Sequence, residues 1–394
     1  MQHDLPPSLP EPDTHSAAHS ERVAAFIRER IGDAGGDIGF AEYMQHALYA
    51  PGLGYYTAGA TKFGEAGDFI TAPEVSSVFG HVVARQCAEV ITQMNGGEIL
   101  EYGAGSGKLA IDILECLAEL GALPSAYRIL EVSADLRERQ ENQVREKVPE
   151  LAHLVTWLSA PPDSVRGVVI ANEVLDALPV ERFVRRDTGV QQQRVLAGDS
   201  GFEFAETPAP GPLVVAVERI EQEIGGRLPD GYVSEVCLAV PDWIGQVSAS
   251  LQEGIVFLFD YGVSRREYYA RERSDGWLRC HFRHHAHNDP LILPGIQDLT
   301  SWVDFTVVAA AAEEAGFDVA GFAAQAQFLM AGGLDAEMQG FATLSVEDQL
   351  ELSRQIKTLT LPGEMGEHFK CMALRKGSSV TPSAFNLADR THTL

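Results

Sequence analysis

The chain has 394 residues, 45% of them hydrophobic and 22% charged, the composition of a globular protein long enough for one large or two ordinary domains. Thirty Lys and Arg against 56 Asp and Glu give a net charge of −26. That balance argues against a nucleic-acid-binding face, because neutralising phosphates needs a basic surface, and it leaves a basic protein segment as an admissible partner.

No run of 18 apolar residues exists to span a membrane. The five cysteines, at 87, 116, 237, 280 and 371, form no C-x-x-C pair and are odd in number, so a disulfide framework is not expected and a reducing cytoplasmic setting is. Residues 1–19 are acidic and proline-rich and read as a disordered tail. They lack the basic start and apolar core of a signal peptide and the Arg-rich pattern of a mitochondrial transit segment. A helix is predicted from Ser20 to the stop at Gly35-Gly36, and a second from Phe40 to Tyr49, stopped by Pro51-Gly52. Glycines 52, 54, 59, 64 and 67 then alternate with Tyr55, Tyr56, Phe63 and Phe69, a composition suited to a hinged lid, so residues 40–74 are expected to cover a ligand. Pro73 opens an amphipathic helix over 73–94. Residues 20–95 therefore read as an N-terminal helical and lid module.

Glu98-Ile99-Leu100 begins a strand, Glu101-Tyr102-Gly103-Ala104-Gly105-Ser106-Gly107 is a glycine loop, and Lys108–Leu117 has helical apolar spacing. Such a strand, loop and helix start a nucleotide-type βαβ unit. A phosphate-binding P-loop is excluded, because Tyr102 stands where its first Gly belongs and Leu109 where its Ser or Thr belongs. A dinucleotide fingerprint fails because the third Gly comes one residue early. What remains, acidic-x-Gly-x-Gly-x-Gly, is the first motif of class I S-adenosylmethionine (AdoMet) methyltransferases. AdoMet has no phosphates for Glu101 to repel. A ligand-free βα turn is the plain alternative. Tyr127–Val132 is a second strand, and Glu131 at its end lies near the spacing of about 20 residues expected for a ribose-binding carboxylate. Glu101, Gly103, Gly105, Gly107 and Glu131 are thus candidate cofactor residues.

Further along, a helix is expected over 134–147 and strands near 153–157 and 167–171. Three runs, 180–186, 190–196 and 201–205, read as a β-meander within an insertion of about 180–235. Tyr232–Val240 leads into a helix at 242–251, and Gly254–Asp260 is a buried strand ending in an acid. Residues 262–298 read as a long polar loop, 300–315 as helix, 317–322 as strand, 324–359 as two or three helices and 368–374 as the closing strand. The expected fold is α/β: a Rossmann-like class I methyltransferase sheet of seven strands, mostly parallel with an antiparallel last strand. The methyltransferase domain is expected to run over 96–376, with a flexible tail at 377–394.

Several stretches, in chain order from about residue 22 to 376, together resemble one family. They are Phe40-Ala41-Glu42-Tyr43-Met44, Gly54-Tyr55-Tyr56, Gly67-Asp68-Phe69-Ile70-Thr71-Ala72-Pro73-Glu74, the glycine loop, Asn172-Glu173-Val174-Leu175-Asp176-Ala177-Leu178-Pro179, Asp260-Tyr261-Gly262 and Gly295-Ile296-Gln297-Asp298-Leu299-Thr300. The chain resembles the MidA-like methyltransferases, which are related to the mitochondrial complex I assembly-factor protein arginine methyltransferase. Position 302 is Trp where many relatives have His. The resemblance implies a class I methyltransferase fold, AdoMet as cofactor with no metal and, for the mitochondrial member, symmetric dimethylation of an arginine on a core complex I subunit. A respiratory complex I subunit is accordingly the protein partner implied for this chain.

Methyl transfer from a sulfonium is an in-line displacement that asks the enzyme to orient the nucleophile and exclude water. Asn172 and Glu173 end the fourth parallel strand, with Asp176 one turn on, and carboxylates there suit a guanidinium nucleophile. Helix capping is the alternative reading for these residues. Asp68 and Thr71 precede a helix start, and the resemblance implies a loop closing over the cofactor. Glu74, Glu235 and Asp260 are candidate substrate-side acids. Cys280 and the four histidines of 281–287 match no standard metal spacing and read as a polar loop over the substrate mouth. An AdoMet-dependent protein methyltransferase acting on arginine is the leading expectation. A small-molecule methyltransferase, an NAD(P)-binding oxidoreductase and a catalytically silent assembly scaffold are the rivals. The undamaged glycines with Glu131 and Glu173 argue against the last.

Overall fold

The β-loop-α succession that begins at Glu98 is carried through the computed structural model, which describes residues 9–58 and 71–394. The chain forms two units, one from Met1–Phe69, Asp176–Val240 and Ser264–Asp304, the other from Ile70–Leu175, Pro241–Val263 and Phe305–Leu394.

The second of these carries the expected sheet. Its strands are β1 (Glu98–Tyr102), β2 (Tyr127–Leu130), β3 (Val155–Leu158), β4 (Val165–Asn172), β5 (Leu251–Val263), β6 (Asp318–Ala324) and β7 (Phe369–Lys376). They lie in the order β3-β2-β1-β4-β5-β7-β6. β1 to β5 pair in parallel, and β7 runs antiparallel to both β5 and β6. Strand order reverses between β1 and β4, and doubly wound sheets bind ligands outside the carboxyl ends of the strands at such a point. The apolar runs of β4 and β5 follow from burial on both faces: Val168, Val169, Ile170, Ile255, Val256 and Phe257 are all 0% exposed. Helices α1 (Ser77–Gln93), α2 (Lys108–Glu119) and α3 (Ala134–Lys147) supply Val83, Leu114 and Val144 to the same core.

Three expectations in this unit change. The single helix over 73–94 is broken at Ser76, whose extended backbone (φ −164°, ψ 144°) separates Ala72–Val75 from α1 and whose hydroxyl accepts from Val78 N–H. The helix expected from residue 300 starts only at Phe305. The C-terminal residues 377–394 are not a loose tail: Val380, Ala384 and Phe385 are buried, and the amides of Ser383 and Ala384 donate to Glu89 and Gln86 at 3.0 Å. Gly321 makes this packing possible, since a Cβ there would stand 2.2 Å from the Phe385 ring.

The first unit joins the N-terminal helices to the insertion. Asp13 caps a helix over Thr14–Asp33, accepting from His15 and Ser16 N–H, so helix begins inside the expected tail. Strand Asp37–Gly39 pairs with Gly189–Ala197, which also pairs with Glu181–Arg186 and Phe202–Pro208; Tyr232–Val236 adds to Glu181–Arg186. The meander is therefore completed by a strand from the N-terminal segment. Val23, Ile27, Phe40, Tyr43, Leu48, Val195 and Leu299 share its core. Residues 262–298 are not one loop. They hold a short helix, Arg265–Tyr268, and a hairpin, Leu278–Phe282 with His285–His287, that pairs with Asp298–Ser301. Arg283 (φ 48°) and His284 (φ 63°) make its two-residue turn. The histidines thus belong to a hairpin. A helix at Gly211–Ile224 had no counterpart in the sequence reading.

Candidate active site

The residues assigned to the cofactor gather at the carboxyl ends of β1 and β2. Gly103, Gly105 and Gly107 all have left-handed backbones (φ 62°, 55° and 86°), which side-chain-bearing residues avoid, and Gly107 is the N-cap of α2. Gly103 N–H donates to Leu130 O at 3.1 Å, which ties the loop to the end of β2. Ser106 accepts from Lys108 N–H at 3.2 Å and donates its hydroxyl to Glu74, so Glu74 braces the loop. Thr71 caps the helix that carries Glu74, its carbonyl accepting from Glu74 N–H at 2.9 Å. Asp68 lies outside the described residues.

Glu131, one residue past β2, is nearly buried. Its carboxylate accepts from Ser133 N–H at 2.8 Å and from Gln140 Nε2 at 3.1 Å. An ionised carboxylate is an acceptor only, the chemistry that suits ribose hydroxyl donors. Glu101 differs from its sequence assignment. Its carboxylate turns into the sheet, 2% exposed, and accepts the Tyr127 hydroxyl at 2.7 Å. Burial pushes its pKa up to about 7 against the lowering effect of the Tyr127 hydrogen bond, with Glu131's charge adding to the rise. Glu101 is an internal support of the loop.

β4 ends in the residues assigned to chemistry. Glu173 has φ 51°, a left-handed backbone on a residue with a side chain, and its N–H donates to Phe259 O on β5 at 2.8 Å. Such outliers persist where the surrounding structure over-determines them, commonly at functional sites. Asn172 Nδ2 donates to Glu173 Oε1 at 3.3 Å, and Asn172 Oδ1 is buried with no hydrogen-bond partner among the described residues. A buried amide oxygen left open in this way is an acceptor waiting for an N–H or O–H donor. Asp176 is the first residue of the other unit; it is buried, and its backbone carbonyl accepts from Ser301 N–H at 2.9 Å.

Two of the three substrate-side assignments are corrected by what the side chains touch. Asp260 is 1% exposed and accepts from Leu175 N–H at 3.0 Å and Tyr261 N–H at 2.9 Å, which fixes the chain just after Glu173. Glu235 is 0% exposed and accepts from Arg182 Nε at 3.1 Å and Trp277 N–H at 2.8 Å. Burial pushes its pKa up while Arg182 opposes the rise, and the carboxylate works as an internal pin. Gln140 is a further residue of the site, and its signal in the sequence is its place on an apolar helical stripe: Leu136, Gln140 and Val144 are the buried residues of α3, and a glutamine there asks for a partner.

A family model of S-adenosyl-L-methionine-dependent methyltransferases matches residues 82–323, more than half of the chain. A Burkholderia thailandensis protein whose crystal structure holds S-adenosyl-homocysteine is 39% identical, with a TM-score of 0.92 over 98% of this chain and 100% of that one. The Mus musculus protein arginine methyltransferase NDUFAF7, mitochondrial, is 29% identical over 91% of this chain and 86% of its own. The Drosophila melanogaster homolog, also mitochondrial, is 28% identical over 95% and 90%. These mitochondrial relatives overturn the expected cytoplasmic setting. Unpaired cysteines separate reducing from oxidising compartments, not one reducing compartment from another. The cofactor is S-adenosylmethionine, and a loop of left-handed glycines with a carboxylate just after β2 suits a ligand that carries no phosphate. The chain belongs to the S-adenosyl-L-methionine-dependent methyltransferases.

Proposed function

We propose that the chain methylates an arginine side chain of a protein, with Glu173 and Asn172 orienting the guanidinium and Glu131 and the glycine loop holding the cofactor. The observation that carries the proposal is the left-handed Glu173 at the tip of β4 beside the open acceptor of Asn172. The names of the fly and mouse relatives, protein arginine methyltransferases, support the choice of nucleophile. On the family resemblance, the protein substrate is a respiratory complex I subunit.

S-adenosylmethionine supplies a methyl group made electrophilic by its sulfonium. A guanidinium offers five N–H donors in a planar fork, and a carboxylate takes two of them in parallel. Glu173 in that role fixes the plane of the group, and Asn172 Oδ1 takes a third N–H. The carboxylate also holds positive charge on the guanidinium carbon side while one nitrogen turns its lone pair to the methyl. The N–C bond forms as the C–S bond breaks, and the proton lost from nitrogen passes to Glu173 and on to solvent.

Glu173→Gln keeps shape and removes the charge and one acceptor. The variant should fold, bind S-adenosylmethionine nearly as the wild type does, and lose methyl transfer by on the order of 100-fold. Melting temperature, cofactor affinity and methylation rate measured together decide it. A stable, cofactor-binding variant with wild-type turnover removes Glu173 from the mechanism.

A further inference from the structure

We infer that Gln140 is the positioning residue of the cofactor site: its single buried amide sets Glu131 and the glycine loop in register for the ribose. The inference rests on the assignment of Glu131 to the ribose. Gln140 is 0% exposed. Its Nε2 donates to Gly105 O at 2.9 Å and to Glu131 Oε2 at 3.1 Å, and its Oε1 accepts from Trp157 Nε1 at 2.9 Å. One side chain on α3 thus joins the loop after β1, the acid after β2 and the indole on β3.

The orientation of this amide is fixed by its neighbours. An indole N–H is only a donor, so the amide oxygen must face Trp157. A carbonyl and a carboxylate are only acceptors, so both amide hydrogens are spent on Gly105 and Glu131. Flipping the group would break all three contacts at once. Gly107 lets the loop close on this residue: a Cβ there would stand 3.3 Å from Gln140 Cγ, and its backbone is left-handed as well. Gln140 and Ser133 N–H between them engage one contact on each oxygen of Glu131. The carboxylate is held in one orientation by these two donors, and a carboxylate is an acceptor that suits hydroxyl donors. Pre-organised acceptors of this kind lose less on binding than a free carboxylate would.

The role predicts a change in ligand discrimination, which general loss of packing would not produce. S-adenosylhomocysteine and its 2′-deoxy analogue are titrated calorimetrically into the whole chain. In the wild type, removing the hydroxyl should weaken binding about tenfold, the effect of one hydrogen bond to a charged group. Gln140→Met keeps bulk under Gly107 and removes all three polar contacts. It should weaken S-adenosylhomocysteine about tenfold and shrink the 2′-deoxy penalty to about twofold. Trp157→Phe, which removes only the donor that fixes the amide, should fall between the two and serves if Gln140→Met does not fold. Glu131→Ala should abolish the penalty. A full penalty in Glu131→Ala overturns the ribose assignment beneath the inference. A penalty lost in Glu131→Ala but fully kept in Gln140→Met, or in Trp157→Phe where that variant stands in, overturns the role of Gln140 alone.

Discussion

Glu173 holds a backbone conformation that costs a residue with a side chain about 1–2 kcal/mol. Glycine would relieve that strain and lose about as much again through the freedom of the unfolded chain. Glu173→Gly should therefore leave stability within about 1 kcal/mol of wild type while abolishing methyl transfer; a denaturant midpoint and a turnover assay check both halves. Glu101 gives a prediction of a different kind. Its folded pKa, about 7, lies above the 4.5 of an unburied glutamate, so the folded state binds its proton more tightly than the unfolded state does. Its contribution is fully present below about pH 4.5 and declines as pH rises through 7, by about 3 kcal/mol in all. Gln resembles the protonated carboxyl and still accepts from Tyr127. Glu101→Gln should match the wild type near pH 4.5 and exceed its stability by a widening margin to pH 8, as read from urea midpoints across that range. The sequence carried the residue types at both positions but not their directions. The place of Glu131 just after a strand was legible because the loop sets its distance along the chain. The burial of Glu235 was not, because its partner Arg182 lies on another strand and a glutamate in an apolar run can face either way.

At the scale of elements, the strands of the sheet were legible because parallel strands buried on both faces are unbroken apolar runs. Helix Gly211–Ile224 is less legible: Leu213, Val217 and Ile220 recur at helical spacing, but Pro208, Pro210 and Pro212 stand before and within its start, and proline is as much a turn residue as a helix opener. The C-terminal segment is hard to read in the sequence for a related reason. Its composition is polar and proline-containing, and only the notch at Gly321 shows that Phe385 has a place in the core. Phe385→Ala should cost about 3–5 kcal/mol of stability, as removal of a buried aromatic ring does, while S-adenosylhomocysteine affinity well below the melting transition stays unchanged. Thermal unfolding and calorimetry on one preparation separate the two effects. Wild-type stability in that variant would mean that 377–394 is dispensable.

Over the whole molecule, the net charge of −26 is the widest feature a basic protein substrate would meet. Steering of that sort weakens as salt screens it, with a Debye length of about 10 Å at 0.1 M. The second-order rate on an arginine-containing basic peptide should fall between 0.05 and 0.3 M salt (about tenfold), while turnover at saturation changes little. The lid expected over 40–74 falls in part on 59–70, outside the described residues; slower hydrogen exchange in 54–72 on adding S-adenosylmethionine is the outcome that would support it. The central claim, methylation of protein arginine, is tested most directly by incubating the chain with methyl-labelled S-adenosylmethionine and an extract of cells lacking it. Protein is then hydrolysed and the labelled amino acids identified by mass spectrometry. Label should appear as methylarginine with the wild-type chain and not with Glu173→Gln. Label only in small molecules, or none at all while the cofactor still binds, would contradict the account.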